Sequence, residues 1–455
     1  MGRFESSRAF LWVVWGLRIV TGALFVMSGL VKVIDLWGFV FKIEEYLNVW
    51  GIVQPRSVVL MAAMLISGWE FVFGALLLAG CYKRVAPWAL TLLMAVMLPL
   101  SAWLAIADPI SDCGCFGDFW VVSNTVTFIK NILITAALIL LILWNGKLSA
   151  GVYKPAIQWI VGAVLSAYVV FVGLYGYNVQ PMLDFRPYPV GAALTTGNDD
   201  SENDPDTEDE VDDMRFIYEK DGKQREFTAD NPPDSTWTFI DRTGDSAAGR
   251  SGAAFTVYDA EGNDATEEAI YDSGRELLLV IPEPRRIDIS YTYFLNELKQ
   301  WCDTSGVGMV CLIASDRRGV DFWKDVSMAG CEVYLADDTK LKELVRGTMA
   351  LVELDNGRVK AKYTLSSVGA AEFGLGPRGR DLPERMAPRP GWWFGTSTGS
   401  LLVVLLALYL CQSVILAINS GIRRKYRKKS VNLHSETETQ PIQTQNNHEK
   451  EHRSR

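Results

Sequence analysis

Residues 9–30 read AFLWVVWGLRIVTGALFVMSGL, a run of 22 residues in which Arg18 is the one charged side chain. A helix needs about 20 mostly apolar residues to cross a bilayer, so this run is long enough for one crossing. A buried core helix would explain a single run, but five more follow, at 58–80, 86–107, 122–144, 157–177 and 396–419. The sequence therefore predicts an α-helical polytopic membrane bundle of six spans. Its first helix is predicted to be retained, because no small-residue cleavage site follows it.

The average composition of the chain hides two opposite kinds of segment. Its 455 residues are 49% hydrophobic, yet the formal net charge is −9. Residues 199–213 alone contain ten acidic residues and no aromatic one, which predicts a solvated linker. Loose calcium binding by this run is an alternative, although its spacing lacks an EF-hand pattern. These features exclude an ordinary soluble enzyme, a fibrous protein and a nucleic-acid binder, which would need a basic surface.

Lysine and arginine residues in the short loops predict the orientation of the spans. With an even number of spans and a cytoplasmic N-terminus, both termini lie inside. The connection 108–120 and the segment 178–393 then lie outside the cytoplasm. The four basic sites that flank the spans fall on the cytoplasmic side: Arg3 and Arg8, Lys83 and Arg84, Lys147 and Lys154, and residues 423–429.

The segment after the acidic run has the pattern of an α/β domain. Alternating and continuous apolar runs predict a hairpin at 215–228 and strands at 236–240, 254–258, 277–281 and 309–314. After the strand at 277–281, four apolar side chains fall on one face of a predicted helix: Phe294, Leu295, Leu298 and Trp301. The pattern ends with two short helices and a hairpin, at 320–328, 339–346 and 349–363.

The order of these elements resembles a thioredoxin-like domain of the thiol–disulfide and peroxiredoxin branch, over residues 237–367. The resemblance implies a redox Cys-x-x-Cys directly after the central strand, where a helix dipole lowers the thiol pKa. Here that stretch is Pro284-Arg285-Arg286-Ile287-Asp288, without a cysteine. The proline that the family has before its penultimate strand is also replaced, at Thr348-Met349. The resemblance therefore implies a degenerate domain that binds or positions a partner.

Seven cysteines are distributed over several kinds of segment. Cys81 falls at the cytoplasmic interface, and Cys411 falls within the last span, where a small apolar residue is expected. Cys302, Cys311 and Cys331 belong to the α/β domain. One pair of them could form a structural disulfide, or all could be buried thiols, and the sequence leaves both alternatives open.

Cys113 and Cys115 stand apart, in the short connection Asp112-Cys113-Gly114-Cys115-Phe116-Gly117-Asp118. A disulfide between them would close a very small ring, and strained disulfides are oxidising and labile. This favours a redox-active pair, with a turn-stabilising bridge or one arm of a metal site as alternatives. A metal site would have no histidine nearby, because all three histidines lie in the C-terminal tail. Asp112 and Asp118 are expected to raise the thiol pKa by like charge.

Ionisable residues within the spans predict a polar cluster inside the bundle. Arg18 and Glu70 lie about halfway along the first and second spans, so an Arg18–Glu70 ion pair is predicted between antiparallel neighbours. Lys32 and Lys130 add charge toward the extracytoplasmic side. The cluster either fixes helix packing or lines a functional polar cavity.

These residues carry a resemblance to the DoxX/MauE family of small four-helix membrane proteins, over residues 18–145. The matching elements are Arg18, Gly22, Ser28-Gly29-Leu30-Val31-Lys32, Glu70, Gly74, Leu77, Cys113-Gly114-Cys115-Phe116-Gly117-Asp118 and Lys130-Asn131. The resemblance implies a multi-pass protein of the bacterial inner membrane. MauE-type members are associated with maturation of a disulfide-rich periplasmic dehydrogenase subunit, and DoxX-type members with quinone-coupled sulfur oxidation. A quinone is therefore a candidate cofactor, and no other cofactor is evident.

The predicted chain is divided into a membrane part, an extracytoplasmic part and a tail. The boundaries are a DoxX/MauE-like membrane domain at 1–180, an acidic linker at 181–214, a β-hairpin extension at 215–245, a degenerate thioredoxin-like domain at 246–390, the sixth span at 396–419 and a basic, then polar, cytoplasmic tail at 420–455.

Three functional hypotheses follow from this organisation. The favoured one is a component of envelope thiol–disulfide or electron-transfer chemistry, in which Cys113 and Cys115 act on a protein partner docked on the thioredoxin-like domain. The alternative is a non-enzymatic envelope assembly or scaffold protein. A third is a small-solute permease that uses Arg18 and Glu70, although no broken-helix repeat supports it.

Overall fold

The computed structural model of the chain describes residues 8–110, 113–115, 117–120, 122–148, 151–194, 215–220, 223–228, 238–243, 255–270, 273–328, 330–367 and 390–438. The acidic run predicted as a linker, residues 199–213, lies outside these residues. Asp112 and the side chain of Asp118 also lie outside them.

Six helices of the described chain are long and apolar enough to cross a membrane, which confirms the predicted spans. They are α1 (Arg8–Ile34), α3 (Arg56–Leu78), α4 (Val85–Ala107), α5 (Asn124–Trp144), α6 (Pro155–Asn178) and the last helix of the chain, α11 (Pro390–Glu438), while α2 (Leu36–Val49) lies between the first two. The last helix continues well beyond the membrane-crossing length. The protein is thus a multi-pass membrane protein associated with a lipid bilayer.

Small residues set the register of α1 against α3, which run antiparallel in close contact. A Cβ added to Gly29 would lie 2.5 Å from the backbone nitrogen of Phe71, and a Cβ added to Gly74 would lie 2.8 Å from the Cβ of Phe25. Such close approach of two backbones requires glycine at the contact. This register places Ser28, one residue before Gly29, at the level of Glu70.

Helix α2 is an element that the sequence analysis did not predict. It has 14 residues and begins directly after α1, with Asp35 as its N-cap accepting a hydrogen bond from the backbone of Gly38. It buries Leu36, Trp37 and Val40. Because the chain passes from one span through α2 into the next, this helix lies at one end of the bundle, at the membrane surface.

The C-terminal part of the chain forms a mixed β-sheet with helices on both faces. A separate three-stranded antiparallel sheet comes first and contains the predicted hairpin: β1 (Arg215–Lys220), β2 (Lys223–Thr228) and β3 (Thr238–Thr243). The larger sheet has the order β4-β7-β6-β5-β8-β9, in which β5, β6 and β7 are parallel and the others antiparallel to their neighbours. Its strands are β4 (Val257–Tyr258), β5 (Arg275–Ile281), β6 (Gly308–Ile313), β7 (Glu332–Ala336), β8 (Ala350–Asp355) and β9 (Arg358–Thr364). We call residues 255–367 the sheet domain.

Strand β5 is apolar throughout because both of its faces are covered. Alternate residues point to opposite faces of the sheet. Leu277 and Leu279 join a core with α8 (Thr292–Ser305) and α9 (Arg317–Ser327), and Leu278 and Val280 join a core with α10 (Asp338–Leu344). A single helical turn, α7 (Thr266–Ala269), follows β4.

The three cysteines of the sheet domain lie in its core. Cys302, Cys311 and Cys331 are buried free thiols in the cluster formed with α8 and α9. Burial raises the pKa of Cys302 to about 12. The structure therefore agrees with the alternative of buried thiols that fill the core.

Residues 180–194, which we call the strap, pack against the sheet domain, whereas the sequence analysis placed 181–194 in the solvated linker. The backbone nitrogen of Gly191 donates to the carbonyl of Val359 at 2.7 Å, and Lys362 donates to Asp184 at 2.9 Å. Tyr188 and Leu194 are buried in the core. The physical reason is composition, because the strap carries apolar and aromatic residues and the acidic run starts only after it.

Ion pairs join the sheet domain to the α2 end of the bundle, and we call them the docking pairs. Arg346 Nη2 lies 2.6 Å from Asp35 Oδ2. Arg56 contacts Glu283 at 2.5 Å and Glu44 at 2.8 Å. Burial opposes the charge on Asp35, but the adjacent Arg346 guanidinium holds the pKa of this carboxyl below its ordinary value.

Candidate functional site

The cysteine loop, residues 108–123 between α4 and α5, lies at the same end of the bundle as α2. Its base is held by Asn124, whose side-chain amide donates to Asp108 Oδ1 and to the carbonyl of Ile110, both at 2.7 Å. Further along, the ring of Phe119 meets the ring of Phe185 in the strap at 5.0 Å between centroids. The loop is thus packed between the spans and the strap.

Helix α2 holds the centre of the cysteine loop. Tyr46 donates its hydroxyl hydrogen to the carbonyl of Cys113 at 2.8 Å. Gly114 has a φ of +65°, and a Cβ added there would lie 2.7 Å from the Lys42 Cγ. Glycine is required here for the backbone angle and for the close approach of Lys42. The sequence motif therefore folds as a tight turn pressed against one face of α2.

A buried ion pair lies beneath this turn. Lys32 Nζ lies 2.7 Å from Glu70 Oε1 and 2.8 Å from Oε2, and both side chains are 5% exposed. The predicted Arg18–Glu70 pair is wrong, because the glycine contacts between α1 and α3 place Glu70 level with Ser28. Ten residues of helix separate Arg18 from Ser28, which is about 15 Å along the axis.

Ser28 links the ion pair to the cysteine loop. Its hydroxyl oxygen lies 2.8 Å from Glu70 Oε2 and 2.9 Å from the carbonyl of Cys115. Lys32 also donates to it, at 3.2 Å. A hydroxyl has one hydrogen, so Ser28 donates either to the carboxylate or to the loop carbonyl. The arrangement ties the position of Cys115 to the buried charges.

The two cysteines of the loop are free thiols whose pKa values are displaced in opposite directions. A hydrogen bond from Cys113, helped by the ammonium groups of Lys32 and Lys130, lowers the pKa of Cys115 to about 6 although burial opposes this. The same hydrogen bond, together with burial, raises the pKa of Cys113. This hydrogen bond therefore favours the thiolate on Cys115 and the thiol on Cys113.

The expected effect of Asp112 and Asp118 on these thiols concerns side chains outside those that the structure describes. The described surroundings of Cys115 act in the opposite direction, because lysines face it. Lys32 and Lys130 thus lie beside Cys115 and supply charge that favours a thiolate.

Arg18 lies at the other end of the bundle and takes no part in the site. A Cβ added to Gly80 would lie 2.7 Å from its Nη1, and the side chain is buried. Its Nε has no hydrogen-bond partner among the described atoms. The predicted polar cluster is therefore divided, with Lys32, Glu70 and Lys130 on one side and Arg18 apart from them.

A cavity of about 40 Å³ lies beside Cys115. Its polar wall consists of Ser28, Lys32, Glu70, Cys115, Lys130 and Asn131, and its apolar wall of residues such as Leu24, Met94 and Met97. A volume of this size holds one or a few water molecules. A quinone ring is larger and does not fit this cavity. No group of three or more His, Cys, Asp or Glu side chains converges among the described residues to hold a metal ion.

The sequence analysis did not assign Lys42 and Tyr46 to this site, and it named Ser28 among the DoxX/MauE-like elements without predicting its contact with Glu70. Ser28 stands one helical turn before Lys32, and the paired glycines of α1 and α3 carried the register that places it beside Glu70. Lys42 and Tyr46 had no signal of their own, because α2 was not predicted.

Comparison with known families supports the membrane part of the chain. Residues 10–145 match the family model described as Methylamine utilisation protein MauE, and residues 213–244 match one described as Domain of unknown function (DUF8463). No curated protein and no solved structure matches the chain. The MauE match contains the cysteine loop and its lysines, so the predicted resemblance of this region to MauE is confirmed. The chain is accordingly an integral membrane protein whose first four spans, with the cysteine loop between the third and fourth, are similar to MauE.

Proposed function

We propose that this protein is a membrane-bound thiol oxidant, which transfers a disulfide from Cys113 and Cys115 to a cysteine pair of a partner protein. The observation that carries the proposal is the pairing of a low-pKa thiolate, Cys115, with a neighbouring thiol, Cys113. Lys32 and Lys130 stabilise the thiolate form. A dithiol whose reduced form is stabilised in this way gives a more oxidising disulfide.

The transfer begins from the Cys113–Cys115 disulfide. A thiolate of the partner attacks the sulfur of Cys113, the disulfide breaks, and Cys115 leaves as a thiolate beside the two lysines. The second partner thiolate then attacks the partner's sulfur in the mixed disulfide and expels Cys113. The partner has lost two electrons and two protons, of which one proton remains on Cys113 and one passes to water. The chain has gained the two electrons as its thiol and thiolate.

The buried Lys32–Glu70 pair has a positioning role in this scheme. Lys32 faces the sulfur of the leaving group, and Glu70 holds Lys32 in place through both of its oxygens. Ser28 connects this pair to the backbone of Cys115. The leaving thiolate therefore meets a positive charge that is already fixed, and little reorganisation is needed.

The sheet domain serves in this proposal as a degenerate thioredoxin-like module that binds the partner. Its strand order, with three parallel strands followed by two antiparallel ones, supports the likeness. The connection after β5 has no cysteine, and its Glu283 and Arg286 contact the bundle instead. Docked so close to the cysteine loop, the domain would present a partner to Cys113.

We further propose a location in the bacterial inner membrane, with both termini in the cytoplasm and residues 178–393 in the periplasm. The distribution of Lys and Arg over the short loops supports this orientation. The cysteine loop, α2 and the sheet domain all lie at one end of the bundle, which supports a common compartment for them. A disulfide-forming compartment suits the proposed chemistry.

A trapping experiment with single cysteine variants tests the proposal. In Cys115→Ser, Cys113 can still attack the disulfide of an oxidised partner, but Cys115 is no longer present to resolve the mixed disulfide, so covalent adducts of the full-length protein are expected on non-reducing gels. Cys113→Ser should give few adducts, and the double variant none. Cys411→Ser, which changes a cysteine exposed on α11, is the matched control and should behave as the wild type.

Redox titration provides the second test. The wild-type protein is equilibrated in glutathione buffers of different poise, and its thiols are alkylated and counted by peptide mass spectrometry. The Cys113–Cys115 pair should change state within the range of these buffers. A pair that stays in one state at every poise, or a double Cys→Ser variant that keeps its biological role, would contradict the proposal and favour a scaffold protein.

A further inference from the structure

A second cavity, unrelated to the cysteines, lies between α2 and the sheet domain. Its volume is about 950 Å³, and it extends from Gly38 along α2 to Gln54, with α10 and the connection after β5 on its other side. This is within the upper range of volumes of small-molecule sites. The cavity is therefore large enough for a bound molecule rather than a few waters.

One wall of this cavity is apolar and belongs to the membrane surface. Val49, Ile52 and Val53 line it, and Val53 is 88% exposed. Next to them Trp50 is half exposed and meets Trp103 of α4, with 5.6 Å between ring centroids. Exposed apolar residues beside tryptophan, between the ends of two spans, are typical of a segment at the level of the lipid headgroups.

The rest of the lining is charged, with equal numbers of each sign, and its residues come from α2 as well as from the sheet domain. Four basic and four acidic side chains line the cavity: Lys42, Arg286, Lys342, Arg346, Glu44, Glu45, Glu283 and Glu343. Several are accessible to solvent, since the Arg286 and Glu45 side chains are 43% and 46% exposed. A wall of balanced charge gives little net attraction to a purely anionic or cationic ligand. Because these charges are paired with one another, as Arg286 is with Glu44 and Lys42 with Glu45, a ligand that carries both charges can exchange with such a pair and leave no charge without a partner.

We infer that this cavity binds one zwitterionic phospholipid with a primary ammonium in its headgroup. The phosphate lies near Arg286 and Lys342, and the ammonium near Glu45 and Glu343. The glycerol and the first part of the acyl chains lie on Val49, Ile52 and Val53. The lipid thereby bridges the bundle and the sheet domain at the membrane surface.

Native mass spectrometry of the purified full-length protein tests this site. The protein in detergent is titrated with phosphatidylethanolamine, phosphatidylcholine and phosphatidylglycerol of the same short chain length. Phosphatidylethanolamine should be retained best, because its ammonium donates hydrogen bonds to carboxylates and the choline headgroup cannot. Its affinity should exceed that of anionic phosphatidylglycerol by about tenfold, which corresponds to about 1.4 kcal/mol.

Variants of the charged and apolar walls separate this site from general lipid adhesion. Arg286→Gln, Glu45→Gln and Val53→Asp should each weaken phosphatidylethanolamine binding several-fold. The matched control is Arg285→Gln, which changes the exposed neighbour of Arg286 outside the cavity wall and should leave binding unchanged. Thermal unfolding of each variant verifies that it is folded.

Two outcomes would overturn the inference. One is equal retention of the three lipids, or equal losses for Arg285→Gln and Arg286→Gln, which would mean adhesion to the whole membrane surface. The other is full displacement of the lipid by water-soluble phosphoethanolamine, which would mean a headgroup site that does not use the apolar wall. Both results are independent of the cysteines, because neither Cys113 nor Cys115 lines this cavity.

Discussion

Two loops at the same end of the bundle place charged residues in opposite ways. At the cysteine loop, Lys32 of α1 and Lys130 of α5 favour a thiolate on Cys115, and Lys32 does so while it is paired with Glu70. In the connection after β5, the charged side chains form ion pairs with residues of the bundle. Glu283 pairs with Arg56, and Arg286 pairs with Glu44.

In the proposed function, the cysteine loop carries the chemistry and the connection after β5 attaches the sheet domain to the bundle. The connection after β5 is where a thioredoxin-like domain would hold its redox cysteines, and here it is tied to the membrane bundle by ion pairs. The cysteine pair stands instead on the membrane module, above a buried cation. We therefore interpret the sheet domain as a fixed accessory of the membrane site, and the predictions below test each half of this comparison.

The largest expected effect comes from Lys32→Met. It leaves Glu70 buried without its cation, and loss of one partner of a buried pair costs about 3–5 kcal/mol of stability. The thermal unfolding temperature of the purified protein in detergent should fall strongly. The reactivity of Cys115 toward alkylation at pH 7 should fall as well, because the thiolate loses its nearest ammonium.

The double variant Lys32→Met/Glu70→Leu separates these two effects. Replacing both members of a buried pair with apolar residues is often neutral for stability, so the unfolding temperature should recover. Cys115 should remain poorly reactive, because the cation is still missing. If reactivity recovers together with stability, Lys32 is a packing residue and does not stabilise the thiolate.

The second prediction concerns the docking pairs. Arg56→Gln removes the bonds to Glu44 and Glu283, and hydrogen bonds to charged groups contribute about 1.5–3 kcal/mol each. Hydrogen–deuterium exchange should increase in α2 and in residues 283–286, while the core strand β5 stays protected. The spans should unfold at the same temperature as in the wild type.

A matched control for Arg56→Gln is available on the surface of the sheet domain. Arg317 and Glu261 form an ion pair at 3.8 Å with both side chains more than half exposed. Such pairs contribute about 0–1 kcal/mol, so Arg317→Gln should leave the exchange pattern unchanged. Equal effects of the two variants would mean that the docking pairs do not hold the domain.

The spans and the strands of the sheet domain were predictable because their signals are local. A run of apolar residues of the right length indicates a span, and the short apolar run at 277–281 and the hairpin pattern at 349–363 indicate strands regardless of their neighbours. The positions of Cys113 and Cys115 in a connection between spans follow from the same information. Local pattern therefore predicted the elements and the candidate nucleophiles.

The ion-pair partner of Glu70 could not be predicted from the position of each charged residue along its span alone. Arg18 and Glu70 both stand near the middle of their runs, but α1 continues to Ile34, so its midpoint is shifted relative to α3. The actual register depends on contacts of Gly29 and Gly74 with backbone atoms. Helix α2 was missed because its apolar residues alternate with Lys42, Glu44 and Glu45, and its amphipathic face is used for a tertiary contact.

The third prediction uses glycine to test the turn at the centre of the cysteine loop. Gly114→Ala should be destabilising by about 1–3 kcal/mol, since φ is +65° and the new Cβ meets Lys42. Gly262→Ala is the control, because Gly262 also has a positive φ, +88°, but no described atom within 4 Å of an added Cβ. Thermal unfolding should show a larger loss for Gly114→Ala. Equal losses would mean that backbone strain alone matters and that Lys42 does not fix the loop.

The smallest expected effect distinguishes the contribution of Cys113 from that of the lysines. Alkylation follows the thiolate, so the rate at Cys115 rises with pH through its pKa and should be half-maximal near pH 6 in the wild type. Cys113→Ala removes the hydrogen bond to the thiolate and should raise this midpoint by about one pH unit, equivalent to about 1.4 kcal/mol. Cys113→Ser keeps a hydroxyl donor and should stay close to the wild type.

Peptide mass spectrometry after iodoacetamide pulses at pH 5 to 9 gives the midpoints of alkylation. The Lys130→Met variant shows how far the midpoint moves when a cation is removed instead of the hydrogen-bond donor. Equal midpoints for the alanine and serine variants would assign the thiolate to the lysines alone, and the reactivity of this loop would then come entirely from the membrane bundle beneath it.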